Sequence, residues 1–140
     1  MTEKYKLLAQ FAKDISYETP NVETFLQAKE NIAKYKLFLD INSNPLKNQI
    51  IEVNILLSFK ESDTNKKASH FEITYTAIAR INEKILDKKE MEKIVLCDIP
   101  NEVYPKLEDL FINLVKKSGF PDVNIERKID FNKLYGEKNN

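Results

Sequence analysis

The feature that most constrains this chain is a succession of four long runs in which apolar and polar side chains alternate. In the first, Tyr5, Leu7, Ala9, Phe11, Ile15 and Tyr17 share one parity, while Lys6, Gln10, Asp14, Ser16 and Glu18 share the other. The second sets Tyr35, Leu37, Leu39 and Ile41 against Lys34, Lys36, Phe38 and Asp40. Ile51, Val53, Ile55, Leu57 and Phe59 form the third and most apolar run, and Phe71, Ile73, Tyr75, Ala77, Ala79 and Ile81 follow His70 in the fourth. A period of two is that of a half-buried strand. The links are too short for helical crossovers, except the polar stretch from Thr19 to about Glu30, so the runs predict an antiparallel sheet. Asn42 to Asn48, with Pro45, reads as a turn, and Lys60 to Lys67 as a charged hairpin loop.

One face of such a sheet needs a cover. Pro105 to Gly119 supplies it: Leu107, Leu110, Phe111, Leu114 and Val115 recur at helical spacing, with lysines and carboxylates opposite. Pro105 suits a first helical position, Gly119 a left-handed residue past the end, and Pro121 a stop. Asp87 to Leu96 predicts a short helix before it. Asp122 to Ile129 reads as irregular, and Asp130 caps a last turn through Tyr135. Gly136 to Asn140 is expected to fray, so residues 1–140 form a single domain of α+β class.

Composition excludes several functions. With 22 basic and 22 acidic side chains there is no long-range field to recruit nucleic acid or an anionic membrane. Met1 to Ser16 lacks the apolar core of a signal peptide, and no stretch reaches the ~18 apolar residues of a spanning helix, so a cytoplasmic location is expected. Two glycines cannot build a phosphate-cradling loop, and one histidine and one cysteine give neither a zinc site nor a nucleophile-base pair. Cys97 reads as a small buried hydrophobe. No enzyme is expected. What remains is surplus apolar surface, since a four-turn helix covers ~20 Å whereas strands of this length run to roughly 40 Å. The excess would be met by self-association or by apolar segments of other proteins.

The order of short motifs resembles the SecB protein-export chaperones. Lys13-Asp14-Ile15-Ser16-Tyr17-Glu18-Thr19-Pro20-Asn21 is similar to the first-strand signature of that family, and Phe71-Glu72-Ile73-Thr74-Tyr75 to its fourth strand. Pro100-Asn101-Glu102-Val103-Tyr104-Pro105 resembles its entry to the long helix, followed by Gly119-Phe120-Pro121 and Asp130-Phe131-Asn132-Lys133-Leu134-Tyr135. The resemblance implies a four-stranded antiparallel sheet with a long and a short helix on one side, assembled as a dimer of dimers. It implies an ATP-independent holdase, without cofactor or metal, that keeps unfolded preproteins in the cytoplasm and passes them to the SecA ATPase. Residue by residue it assigns SecA contact to Asp14, Glu18 and Glu72, with His70 where an apolar residue is usual. Clients fall to Tyr35, Leu37, Leu39 and Tyr135, and protomer pairing to Phe71, Ile73 and Tyr75.

From the residues alone, Asp14, Glu18 and Glu72 read equally as solvated strand positions, and Leu37 and Leu39 as core. The chain departs from the family at Thr76 and Ala77, where smaller residues are usual, at Glu108 in place of an arginine, and at Ile99 in place of a cysteine. Its balanced charge also contrasts with the acidic character of the family. Two other readings stand beside the export chaperone: a SecB-like chaperone dedicated to a single partner such as an antitoxin, and a binding module for a small apolar ligand.

Overall fold

A computed structural model describes residues 3–61, 69–123 and 129–138. The chain runs β1 (Tyr5–Glu18), α1 (Val22–Asn31), a 3-10 turn (Ile32–Lys34), β2 (Tyr35–Pro45), β3 (Ile50–Glu61), β4 (His70–Ile81), α2 (Lys88–Lys93), a π turn (Ile94–Asp98), α3 (Ile99–Lys117) and α4 (Phe131–Lys138). The four strands form one sheet in the order β1-β4-β3-β2, with every neighbouring pair antiparallel. β1 and β2 therefore lie on opposite edges, and the link between them must span the sheet. That link holds α1, in the one stretch long enough for a helical crossover. Asn21 caps it, its Oδ1 accepting from the Thr24 N–H at 2.8 Å, and Ala28 buries its inner side.

The β2–β3 turn is shorter than expected because β2 continues through Pro45. The turn is closed by the Leu46 N–H donating to Ile50 O at 2.7 Å, and Asn48 and Gln49 both have positive φ. Most of the charged β3–β4 loop, 62–68, lies outside the described residues, as do 124–128 in the stretch after Pro121. β4 continues unbroken through Thr76 and Ala77.

The main helix begins at Ile99, upstream of the Pro105 start that the sequence predicts, and Pro105 lies inside it. The reason is packing. Ile99, Val103, Leu107, Phe111 and Val115 make one row at four-residue spacing, and all are buried. Burial of Ile99 and Val103 outweighs the proline, which costs the helix one N–H. The π turn sits where Pro100 can offer no N–H to the preceding turn, and the Ile99 N–H donates instead to Ile94 O. The far end closes as predicted: Gly119 has φ 112°, and the Phe120 N–H returns to Val115 O at 3.3 Å. An added Cβ on Gly119 would lie 2.5 Å from the Phe25 ring.

The core fills the space between this helix and one face of the sheet. Odd-numbered residues of β3 and β4 point into it, and the Phe59 ring meets Phe111 edge-on at 5.2 Å. α4 joins the same layer through Phe131, whose ring packs on Tyr104 at 5.5 Å, and Asp130 Oδ1 caps it by accepting from the Asn132 and Lys133 N–H groups. This last helix continues to Lys138, past the point at which the tail was expected to fray; 139–140 lie outside the described residues.

Candidate functional site

The sheet face turned away from the helices is the candidate site, and its geometry follows from β1. Two register shifts in the β1–β4 ladder, at Leu8 and Lys13, each insert one unpaired residue. Between them the alternation inverts. Ala9 and Phe11 pair with Ile78 and Thr76 and face outward, while Gln10 and Ala12 turn toward the helices. This corrects the single apolar parity read from sequence for β1. After the second shift the original parity returns, because two one-residue slips cancel.

That return brings the predicted SecA-contact residues together. Asp14 is the register partner of Thr74, Ser16 of Glu72, and Glu18 of His70, so Asp14, Glu18, Glu72 and His70 share one corner of the outer face. The Glu18 carboxylate lies 3.8 Å from His70 Nε2, an ion pair when the imidazole is protonated. Asp14, Glu18 and Glu72 are exposed and His70 is half-buried. The corner therefore presents three exposed carboxylates, and the neighbouring lysine, Lys13, is engaged by Glu52.

Next to it runs a polar ladder that crosses all four strands. The Thr76 hydroxyl donates to Asn54 Oδ1 at 2.6 Å, and Asn54 Nδ2 donates to Asn42 Oδ1 at 2.9 Å and to Glu52 Oε2 at 2.8 Å. Lys13 completes it with a 3.3 Å ion pair to Glu52. Donation from Asn54 and then from Lys13 holds the Glu52 carboxyl below the usual carboxylate range. Thr76 is fully buried and Asn54 nearly so, although both lie on the polar parity of their strands.

The predicted client residues separate into two kinds. Tyr35 is only 3% exposed, packs on Phe59 at 5.3 Å, and donates its hydroxyl to Ser69 O at 2.6 Å. It is a structural support and not an open contact, which corrects its assignment. Burial first, then Glu61 and Tyr17, push its pKa up to about 12. Leu37 and Leu39 follow on the same edge strand and remain half-open beside the core, and Tyr135 is half-exposed on α4.

The predicted pairing residues need a larger correction. Phe71, Ile73 and Tyr75 are 0%, 1% and 7% exposed and belong to the core of the protomer itself. Their inward parity consumes them before any second subunit could reach them. Open apolar surface lies elsewhere: Leu8, Phe11 and Ile15 on β1, Phe38 on β2, and Val22 and Leu26 on α1 are all exposed. Ile15 is 47% exposed although its register partner Ile73 is buried, so β1 is left uncovered at this position.

Among the described residues no group of three or more His, Cys, Asp or Glu could hold a metal ion. No helix there is long and apolar enough to cross a membrane.

Comparison with known proteins completes the picture. The profile of the family described as "Preprotein translocase subunit SecB" matches residues 1–140. A relative from Pelagibacter ubique (strain HTCC1062) that bears a SecB protein-export name is 52% identical over 140 residues, covering 100% of both chains. The protein-export protein SecB of Bradyrhizobium diazoefficiens is 27% identical over 92% of this chain and 78% of its own. Among solved structures, the SecB-like chaperone Rv1957 of Mycobacterium tuberculosis, in complex with a ChAD peptide from the HigA1 antitoxin, superposes with a TM-score of 0.64. It shares 10% identity over 90% of this chain and 91% of its own, so the likeness is one of fold.

Proposed function

The chain belongs to the family of the preprotein translocase subunit SecB, and from that premise we propose that it is an ATP-independent chaperone that holds unfolded precursor proteins for export. The observation that carries the proposal is the family match across the whole chain, with a relative 52% identical from end to end. In this reading the protein works in the cytoplasm as a homotetramer, a dimer of dimers, and passes its clients to SecA. It performs no catalysis.

The structure lends each step a physical basis. Client capture falls to Leu37 and Leu39 on β2 and Tyr135 on α4, which are half-open side chains that offer sequence-tolerant contact. β2 is an edge strand, so an extended client could also pair with its backbone. Tyr35 supports that strand from beneath. SecA docking falls to Asp14, Glu18 and Glu72 with His70, since an exposed acidic corner suits a basic partner surface. Subunit contact falls to the open apolar residues of the other edge, Leu8 and Ile15.

The test is suppression of client aggregation. Purified protein, added without nucleotide to a precursor diluted from denaturant, is expected to lower light scattering in proportion to its concentration. Scattering that is unchanged at excess chaperone would overturn the reading.

A further inference from the structure

The outer face carries opposite charge at its two ends. Far from the acidic corner, Lys6 and Arg80 are direct register partners in the β1–β4 ladder, and both are exposed. Two cations thus stand across from each other on one face, an arrangement that destabilises a strand pair unless something neutralises it. Lys13 and Lys4 each find a carboxylate, in Glu52 and Glu90. Among the described residues neither Lys6 nor Arg80 does so.

Both line an open cavity of about 350 Å³ at the end of the sheet, where the β2–β3 turn contributes Asn48 and Gln49. Glu3 and Glu83 line it too, but neither reaches ion-pair distance of Lys6 or Arg80. A guanidinium fork beside an ammonium matches the two oxygens of a carboxylate. One step further along the same face lie Ala9 and the exposed Phe11, with Ile78 across from Ala9. An apolar side chain flanking the bound carboxylate would meet them.

We infer that the Lys6–Arg80 end of the outer face is a carboxylate-binding site that takes an acidic segment of another protein, with an adjoining apolar residue on Phe11. This site is separate from the SecA contact proposed above. Eight residue steps along β4 separate Arg80 from Glu72, roughly 27 Å at ~3.4 Å each. An acidic segment would be repelled by the other corner, so the two ends select partners of opposite charge.

Fluorescence anisotropy on the full chain tests this, using a labelled Glu-rich peptide that carries one leucine, with sodium acetate as a free-carboxylate competitor. The peptide is expected to bind at low ionic strength and weaken with salt. Lys6→Gln/Arg80→Gln should bind about tenfold or more weakly, a loss of ~1.4 kcal/mol, while Asp14→Asn/Glu72→Gln should bind at least as well as the parent. Acetate should displace no more peptide than sodium chloride at equal ionic strength. Equal binding by Lys6→Gln/Arg80→Gln, or no binding by the parent protein, would overturn the site, and full displacement by acetate would overturn the protein-segment assignment. Thermal melting guards against misfolding. Without peptide, Lys6→Gln/Arg80→Gln should melt no lower than the parent because opposed charges are removed, and a clearly lower melting temperature would overturn the claim that the pair is unneutralised.

Discussion

Glu18 and His70 face each other as register partners across the β1–β4 ladder, with 3.8 Å between the carboxylate and Nε2. The pairing anchors the acidic corner, because Glu72 follows His70 on the same face and Asp14 precedes Glu18. If this corner receives SecA, reversing its charge must weaken docking without harming the fold. Asp14→Arg/Glu72→Arg is expected to weaken SecA binding at least tenfold by calorimetry, an effect of the ~1.4 kcal/mol that tenfold represents. The melting temperature should stay within a degree or two of the parent, since exposed substitutions are nearly neutral to stability. Unchanged affinity would remove the site assignment and leave the fold intact.

Tyr35 and Tyr104 make the fold sensitive to alkali. Burial is the main cause for both, and each pKa is raised from the ordinary 10.0 to about 12. A raised pKa means that the folded state favours the neutral phenol. The stabilisation is therefore complete below pH 10 and is lost as pH rises from 10 through about 12. Melting temperatures taken across that window should fall faster for the parent than for Tyr35→Phe/Tyr104→Phe. Parallel curves would contradict the burial of these hydroxyls.

The polar ladder of the outer face makes a separate demand. Asn54→Ala removes the acceptor of the buried Thr76 hydroxyl and the amide that donates to Glu52. It should cost about 1–3 kcal/mol in urea unfolding, the range for orphaning a buried polar group. Thr76→Val in the same background should recover part of that loss. Because the Glu52 pKa is lowered, its share of stability is present above the ordinary carboxylate value and disappears as pH falls through the folded one. Asn54→Ala should flatten that acid limb.

Gly119 tests the closure of the long helix. Its φ of 112° and the nearby Phe25 ring leave no room for a methyl group. Gly119→Ala is expected to destabilise by more than ~1 kcal/mol. A neutral result would mean that the α1–α3 junction is looser than described.

Much of this was legible in the sequence, and the failures have physical causes. Alternation located β2, β3 and β4 because their pairing carries no register shift. In β1 it failed only between Leu8 and Lys13, where extra residues are fixed by the partner strand and leave no local mark. The faces of Asp14, Glu18 and Glu72 were nonetheless readable, since the two slips cancel before Asp14 is reached. The stretch that holds α1 was legible only as a possible crossover, because its exposed Val22 and Leu26 blurred the helical stripe. Pro105 misplaced the start of α3 because a proline rule is local and the buried row beginning at Ile99 is not. Phe71, Ile73 and Tyr75 were misassigned for a related reason. Inward parity is the same whether a residue is covered by its own helix or by a second subunit.

The most direct test of the account is the affinity of the protein for an unfolded precursor segment, measured by anisotropy in the absence of nucleotide. Leu37→Ser/Leu39→Ser/Tyr135→Ala should bind at least tenfold more weakly than the parent, a loss of ~1.4 kcal/mol or more, while keeping its affinity for SecA. Equal binding of the precursor by the two proteins would contradict the claim that Leu37 and Leu39 on β2 and Tyr135 on α4 are where clients are held.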